Sequence, residues 1–561
     1  MRRVACVCAL LVLLAMPGFS QGDSPALSAE AALERMPVQS RGRMKPLDTF
    51  ARECVQTITG KSRWQAEAPA LTLMRWWSDP VKGRTLEVIE IKDEGLKAEL
   101  GFDQSRRWFS LAELSDNAEL AQRRETIHQR LEGDEELPPE DRKVQEVLTS
   151  AGLLASILDG SGLKLVPHPG GLQQPWGALS DLAESPALAA AEQLKTQMRA
   201  DGSALGPAVL ALELELSKLG PTPEPSSLDR EVRYNKSHPF RLAWGLYLSA
   251  FLVLLTPAGS NAGGRLYRLA VSLAVGGFLV HLYGFYLRCL IAGRPPVTNM
   301  YESVIWVALG AVSFAFVLER YSHRGSFLPA ACLCSAVCLI LADSLPTVLD
   351  PAIHPLTPVL RSNFWLTVHV LSITLGYAAF VLALGIGHLA LWRAARGSQE
   401  VATLHDAVYK AVQIGVLFLA AGTILGGVWA NDSWGRFWGW DPKEVWALIA
   451  LLGYLAILHG RYAGWLRKFG VTAWSVLAFQ GVLMAWYGVN YVLGTGLHSY
   501  GFGTGGGGYV AGFVLFELLY VGWAVAQHHQ LARRLRETHS GGCPFTRLAS
   551  LFQDPTNQGD T

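Results

Sequence analysis

Long apolar segments follow one another through the second half of this sequence, and they constrain the fold more than any other feature. From about residue 240 onward, eight or nine segments each approach the roughly twenty apolar residues that an α-helix needs to cross a bilayer. They lie near residues 240–257, 266–288, 302–319, 327–345, 366–391, 408–429, 443–460, 471–493 and 508–527. The pattern predicts an all-α polytopic membrane protein.

The N-terminal part of the chain has a different, charge-rich composition. Segments such as "ALSAEAALERM" and "VLALELELSKL" repeat apolar residues at helical spacing. The opening "MRRVACVCALLVLLAMPGFSQG" combines two arginines, a short apolar run and small residues, as in a signal peptide. We therefore predict a signal peptide or N-terminal anchor over 1–20, an extracytoplasmic, mainly helical soluble region over 21–238, a membrane domain over 239–530 and a cytoplasmic tail over 531–561.

The loop charges predict the orientation of the membrane domain. If residues 21–238 lie outside, the cytoplasmic loops carry Arg265, Arg268, Arg320, Arg324, Arg393, Arg396, Arg461, Arg467 and Lys468, ahead of the basic tail "LARRLRETH". The outer loops then hold only Arg288, Arg294, Arg361, Arg436 and Lys443. This positive-inside bias predicts a multi-pass protein of a bacterial-type inner (cytoplasmic) membrane.

Charge and cysteine usage exclude two classes of function. The net charge is +1 and the basic residues are scattered, so no nucleic-acid surface is expected. None of the eight cysteines forms a C-x-x-C pair. Without such a pair the chain is not expected to perform dithiol redox chemistry alone, or to hold haem covalently as a c-type cytochrome does.

Three notable segments fall on the same predicted outer face. One ends at His369, one is the tryptophan-rich "WGRFWGWDPKEVWALIA" beginning at Trp434, and one is "GTGLHSYGFGTGGGG", which contains His498. Two neutral imidazoles are suited to bind haem iron axially. Indole faces can stack on a porphyrin. An aromatic belt at the membrane interface is the alternative interpretation of the tryptophans.

Within the tryptophan-rich segment, Trp434, Trp438 and Trp440 are the expected shelf for a flat ligand. Arg436 is a candidate partner for a haem propionate. Asp441 and Lys443 are candidates for capping the flanking helices.

The same residues carry a family resemblance. The string from Trp434 to Glu444 resembles the "WWD" motif of haem-handling proteins, and "LHSYG" at 497–501 is similar to the segment that follows it in CcsA- or ResC-type cytochrome c assembly proteins. Further similar segments are "GRPPVTNMYES" at 293–303, "HVLSITLGYAAF" at 369–380 and "NDSWGRFWGWDPKEVWAL" at 431–448. The resemblance covers about residues 290–505.

The resemblance implies cytochrome c biogenesis by the System II route. The chain would be the synthase (haem lyase) subunit, which binds non-covalent haem b, attaches it outside the membrane to C-x-x-C-H apocytochromes, and is implicated in haem export. His369 and His498 correspond to the external axial ligands, with Trp434, Trp438, Trp440, Asp441 and Arg436 around the haem. Implied partners are apocytochromes c, a thiol reductant protein and a ResB- or CcsB-like membrane protein.

His459 is similar to the family's intramembrane haem ligand, and its own partner is open. The region 24–238 lacks the several membrane spans of a ResB-like partner, so that partner is either another chain or a local histidine. At about 1.5 Å per helical residue, His459 and His388 both fall near the inner face, whereas His281 falls mid-span. Depth therefore favours His388 over His281 as the local alternative.

Two functions of other classes remain possible from the sequence. A b-type membrane cytochrome for electron transfer also uses paired histidines. A transporter or receptor for an aromatic ligand would use the tryptophans without iron.

Overall fold

The computed structural model describes residues 29–133, 135, 137–200, 204–261, 263–322, 326–356, 363–398, 401–494 and 505–540. The predicted signal segment and the last part of the predicted tail lie outside these residues. The described chain divides into two compact units. One comprises the N-terminal region up to Ser237 together with Ala352–Pro355, and the other comprises the remaining residues from His238 onward.

The N-terminal unit is mainly helical. Its helices are α1 (Ala29–Arg35), α2 (Leu47–Thr59), α3 (Pro69–Ser78), α4 (Pro80–Thr85), α5 (Glu94–Glu99), α6 (Leu111–Ser115), α7 (Ala118–Glu132), α8 (Pro139–Asp159), α9 (Pro186–Arg199), α10 (Leu205–Ser217) and α11 (Pro225–Ser237), with a 3-10 turn at Leu179–Asp181. Strand β1 (Pro37–Ser40) pairs antiparallel with β2 (Arg43–Pro46), and β3 (Glu87–Glu90) pairs antiparallel with β4 (Trp108–Ser110). These two small two-stranded sheets are additions to the predicted helical region.

Helical periodicity builds the core of this unit. Leu47, Val55 and Ile58 on α2 are fully buried, and the apolar residues of α3 and α8 belong to the same core. The buried Asp48 is stabilised because Arg52 Nε donates to both its carboxylate oxygens at 2.9 Å. A buried carboxylate needs such partners, since desolvation is otherwise costly.

The segment Ala352–Pro355 is held in the N-terminal unit by Arg43. The Arg43 guanidinium donates through Nη1 and Nη2 to the Glu231 carboxylate at 2.8 and 2.7 Å. Arg43 Nε donates to the carbonyl of Ile353 at 2.9 Å, and the Ile353 side chain is buried. The N-terminal unit is therefore built from two separate parts of the sequence.

All the regular secondary structure in the described residues of the second unit is helical. Its elements are α12 (Pro239–Leu255), α13 (Pro257–Ser260), α14 (Arg265–Ala292), α15 (Met300–Ser322), α16 (Leu328–Ser344), α17 (Asn363–Ala395), α18 (Val401–Trp434), α19 (Pro442–Tyr462), α20 (Lys468–Leu483), a π-helical segment (Met484–Leu493) and α21 (Gly507–Ser540). Eight helices among the described residues are long and apolar enough to cross a membrane, and α16 is a shorter apolar helix. The prediction of an all-α polytopic membrane protein with eight or nine spans is confirmed.

Glycines allow α17 and α18 to pack closely. A Cβ at Gly376 would lie 2.9 Å from the backbone nitrogen of Leu419, and one at Gly422 would lie 2.6 Å from Cα of Ile373. Small residues of this kind let membrane helices approach at backbone distance. The close contact matters because α17 carries His369.

Candidate functional site

An open cavity in the second unit brings together two of the predicted haem-site residues, His369 and Trp438. It contains about 1120 Å³ of empty space, part of which is open to solvent. Its walls come from residues 297–303, from α17 and α18, from Phe437 and Trp438, from the first turns of α19 and from the π-helical segment. Most of the exposed wall surface is apolar, as is usual for sites that bind small molecules.

His369 lies on the second turn of α17 and lines the cavity. Its Nδ1 lies 2.8 Å from the carbonyl oxygen of Gly422. A carbonyl can only accept, so Nδ1 carries the proton and Nε2 keeps the lone pair that binds a metal. This is the tautomer required of a haem ligand whose other ring nitrogen is held by a backbone carbonyl.

The neighbouring turn of α18 fixes the plane of the His369 ring. Trp429 is 1% exposed and stacks nearly parallel to it, with ring centroids 6.2 Å apart and an interplanar angle of 8°. A Cβ at Gly426 would lie 2.6 Å from Cε1 of His369, so only glycine leaves room for the imidazole. Neither Trp429 nor Gly426 was predicted from the sequence. The run of small residues Gly426-Gly427 ahead of Trp429 was the available signal.

The tryptophans of the predicted shelf have different positions. Trp438 lines the cavity. Trp434 packs edge-on against Trp429 at 4.5 Å and is not among the cavity-lining residues. Trp440 is 71% exposed and has a left-handed backbone, with φ of +57°. Phe437, which the sequence analysis did not select, also lines the cavity.

A capping box sets the conformation of this turn. Asp441 is the N-cap of α19, and its Oδ1 accepts from the backbone nitrogen of Lys443 at 3.0 Å. In return, Glu444 Oε2 accepts from the backbone nitrogens of Gly439 at 2.8 Å and Asp441 at 3.1 Å. These bonds satisfy donors at the start of α19 and hold the strained Trp440 backbone in place. The rings of Trp438 and Trp440 meet edge to face, with centroids 5.9 Å apart and an interplanar angle of 88°.

The two cations near this turn also differ in position. The Arg436 side chain lies across Gly439, with its guanidinium carbon 5.9 Å from the Trp434 ring centroid. Arg436 is not among the cavity-lining residues, whereas Lys443 is.

The cavity wall formed by residues 297–303 is held in place by the buried carboxylate of Glu302. Glu302 Oε1 accepts from Arg288 Nε at 3.1 Å and Nη2 at 2.9 Å, and both side chains are almost fully buried. Glu302 Oε2 accepts from the backbone nitrogen and the hydroxyl of Thr298, each at 2.9 Å. Burial lowers the pKa of the adjacent Arg294, and Glu302 opposes that shift. This network holds the loop 293–299, and its signal in the sequence was the segment "GRPPVTNMYES".

Among the other candidate histidine ligands, those that the structure describes do not line the cavity. His498 falls outside the described residues. His459 is exposed near the end of α19, and its Nδ1 donates to the carbonyl of Leu455 at 2.7 Å. His388 Nε2 lies 3.0 Å from Oε1 of the buried Glu517, and the buried His281 lies 3.4 Å from the Tyr247 hydroxyl. Neither described contact joins His388 or His281 to His459.

Comparisons with known proteins identify several similar chains. The profile of the family described as Cytochrome C assembly protein matches residues 297–498. Protein NrfI of Wolinella succinogenes is 30% identical over 497 residues, which is 82% of this chain and 53% of NrfI. The chain thus spans about half the length of that relative. Cytochrome c biogenesis protein CcsA of Parasynechococcus marenigrum is 33% identical over 48% of this chain and 100% of its own length. CcsA of Chlamydomonas reinhardtii is 35% identical over 38% of this chain and 62% of its own length.

Proposed function

We propose that this chain, which belongs to the cytochrome c assembly protein family, binds haem b at the outer face of the membrane and promotes its covalent attachment to apocytochromes. Members of that family act in cytochrome c biogenesis. In this role the chain is the haem lyase subunit. The observation that carries the proposal is His369, with Nδ1 bonded to Gly422 and its ring in the wall of a cavity that also contains Trp438.

The residues of the cavity suit the binding of an iron porphyrin. His369 offers Nε2 to the iron, and Trp438 and Phe437 offer aromatic faces to the macrocycle. His498 is the proposed second external ligand. The histidine of an incoming C-x-x-C-H segment replaces one of the two ligands, which places the cysteines beside the vinyl groups.

The bond-forming step follows from substrate chemistry. Each cysteine thiol adds its S–H across one vinyl double bond, so a thioether forms and no atom leaves. The protein contributes orientation, which converts a bimolecular encounter into a positioned reaction. A separate thiol reductant protein keeps the two cysteines reduced, since this chain has no C-x-x-C pair.

We further propose that His459 binds haem within the membrane together with a ResB- or CcsB-like chain. The exposed position of His459 supports a ligand from another protein. His388 contacts Glu517, and His281 contacts Tyr247. These contacts also favour a ligand from another chain over either local histidine as the partner of His459. Haem export from the cytoplasm would then pass through the His459 site.

Imidazole rescue tests the proposal. The chain, with a ResB-like partner, is co-expressed with an apocytochrome, and covalent haem is measured by haem stain. His369→Gly and His498→Gly should each abolish the product, and added imidazole should restore part of it. His529→Gly, the same substitution in an exposed helical position away from the cavity, is the matched control and should have no effect.

Two further measurements separate the alternative functions. Acid-acetone should extract the haem from the purified chain, because no C-x-x-C-H is present to bind it covalently. A purified chain without a haem spectrum would favour a transporter or receptor for an aromatic ligand. A haem-containing chain that never yields covalent cytochrome would favour an electron-transfer cytochrome.

A further inference from the structure

Lys443 is the single cationic side chain among the described residues that line the cavity. It lies in the first turn of α19, on the same cavity as His369 and Trp438. The other cation of the tryptophan-rich segment, Arg436, lies across Gly439 beside the Trp434 ring. A negatively charged group in the cavity would therefore meet Lys443 rather than Arg436.

The backbone around Lys443 also favours a negatively charged ligand group. The helix α19 begins at Pro442, so the positive end of its dipole lies at this side of the cavity. The carboxylates of Asp441 and of Glu444, which also lines the cavity, accept backbone hydrogen bonds from Lys443, Gly439 and Asp441. Those bonds fix the two acids in the turn.

The cavity lining also contains a buried amide oxygen that has no hydrogen-bond partner among the described residues. Asn490 lines the cavity from the π-helical segment, and its Oδ1 is buried with no partner. Its Nδ2 makes only a 3.4 Å contact with the carbonyl of Trp486. A buried polar atom without a partner costs about 1–3 kcal/mol, which a ligand group can recover. Short π-helical segments are frequent at functional sites.

Most of the remaining wall is apolar. Val297, Leu366, Val370, Ile373 and Phe437 line the same space. A ligand matched to this cavity has a large apolar body and few polar groups, of which at least one is an anion. Haem, with its two propionates, has this composition.

We propose that Lys443 is the residue that recognises a carboxylate of the bound tetrapyrrole, and that it selects for the free acid over neutral forms. The inference rests on the proposed function, since it concerns the same cavity and the same ligand. An ammonium–carboxylate hydrogen bond is about twice as strong as a neutral one, and partial exclusion of water strengthens it further.

The test compares haem with haem dimethyl ester, in which both carboxylates are neutral. Binding to the purified full chain in detergent is followed by visible absorbance. The wild type should bind haem on the order of tenfold more tightly than the ester, the loss expected for one hydrogen bond to a charged group. Lys443→Met should bind the ester as the wild type does, and bind haem no more tightly than the ester.

Two matched variants make the result specific. Lys443→Arg should retain the preference for haem, because it keeps the charge. Arg436→Met should also retain it, because Arg436 lies outside the cavity lining. Unchanged discrimination in Lys443→Met, or its loss in Arg436→Met alone, would overturn the assignment of Lys443. Failure of the wild type to bind either compound would instead reject the proposed haem-binding function, and the inference with it.

Discussion

Replacing Gly426, which also lines the cavity, with alanine should displace the His369 ring without changing the chemistry of any proposed haem-binding side chain. The added Cβ would lie 2.6 Å from Cε1 and 2.9 Å from Nδ1 of His369, so the ring must retreat by about 0.8 Å to reach ordinary contact at 3.4 Å. A shift of that size is enough to stretch the 2.8 Å bond between Nδ1 and the carbonyl of Gly422 beyond hydrogen-bonding range.

The expected loss follows from these two effects. A lost hydrogen bond costs about 0.5–1.5 kcal/mol, and an overpacked core site costs about 1–3 kcal/mol. Because about 1.4 kcal/mol corresponds to a factor of ten, haem affinity should fall by roughly tenfold or more. The assay is the ratio of haem absorbance to protein in the purified chain, together with the yield of covalent cytochrome.

Gly453→Ala is the matched control, because a Cβ at this helical position meets nothing within 4 Å. It should leave both readouts unchanged. A second comparison is more specific. Imidazole should rescue His369→Gly but not the double variant His369→Gly, Gly426→Ala, since the new methyl group fills the space of the imidazole ring. Normal haem content in Gly426→Ala, or rescue of the double variant, would refute the packing argument.

Four other predictions concern the two neighbouring tryptophans, the N-cap of α19, the buried carboxylate of Glu302 and a buried cysteine. Trp438→Ala should lower haem occupancy, whereas Trp440→Ala should not, because only Trp438 lines the cavity; equal effects would contradict that division. Asp441→Ala should reduce cytochrome yield through loss of an N-cap, at about 0.5–2 kcal/mol, and Asp441→Asn should restore it; an asparagine variant as poor as alanine would show that the charge matters instead. Glu302→Gln should sharply reduce folded protein in detergent, because it weakens the partner of a buried arginine and such losses reach about 3–5 kcal/mol; normal yield and thermal stability would argue against this. The Cys54 thiol should resist maleimide at pH 8 until the protein is denatured, since burial raises its pKa and lowers the thiolate fraction; rapid labelling of the native chain, followed by mass spectrometry, would disprove this.

The sequence predicted the membrane architecture well because its signal is local. Twenty consecutive apolar residues are visible without knowledge of any neighbour, and eight long apolar helices match that pattern. The helical nature of the N-terminal region was equally accessible from periodicity. The two small two-stranded sheets were not, because strands of three or four residues leave little periodic signal.

The candidate site was only partly predictable. His369 and Trp438 stand out by residue type, and both line the cavity. The separate positions of Trp434, Trp438 and Trp440 depend on one left-handed residue and a capping box, which residue type alone does not reveal. Trp429 and Gly426 act through contacts with His369 on another helix, and Glu302 acts through Arg288 on the preceding helix. Such contacts become visible only once the helices are assembled.

The inclusion of Ala352–Pro355 in the N-terminal unit makes that unit a discontinuous domain. Its last four residues are synthesised only after α12 to α16, so the unit cannot complete its fold when residue 237 leaves the ribosome. Domains generally fold in order of synthesis, but here an early one must wait for a later loop to be synthesised. Deleting residues 29–237 would also leave the buried Ile353 without its surroundings and its carbonyl without the Arg43 donor. Truncation or gene splitting at Ser237 therefore divides a domain rather than separating two.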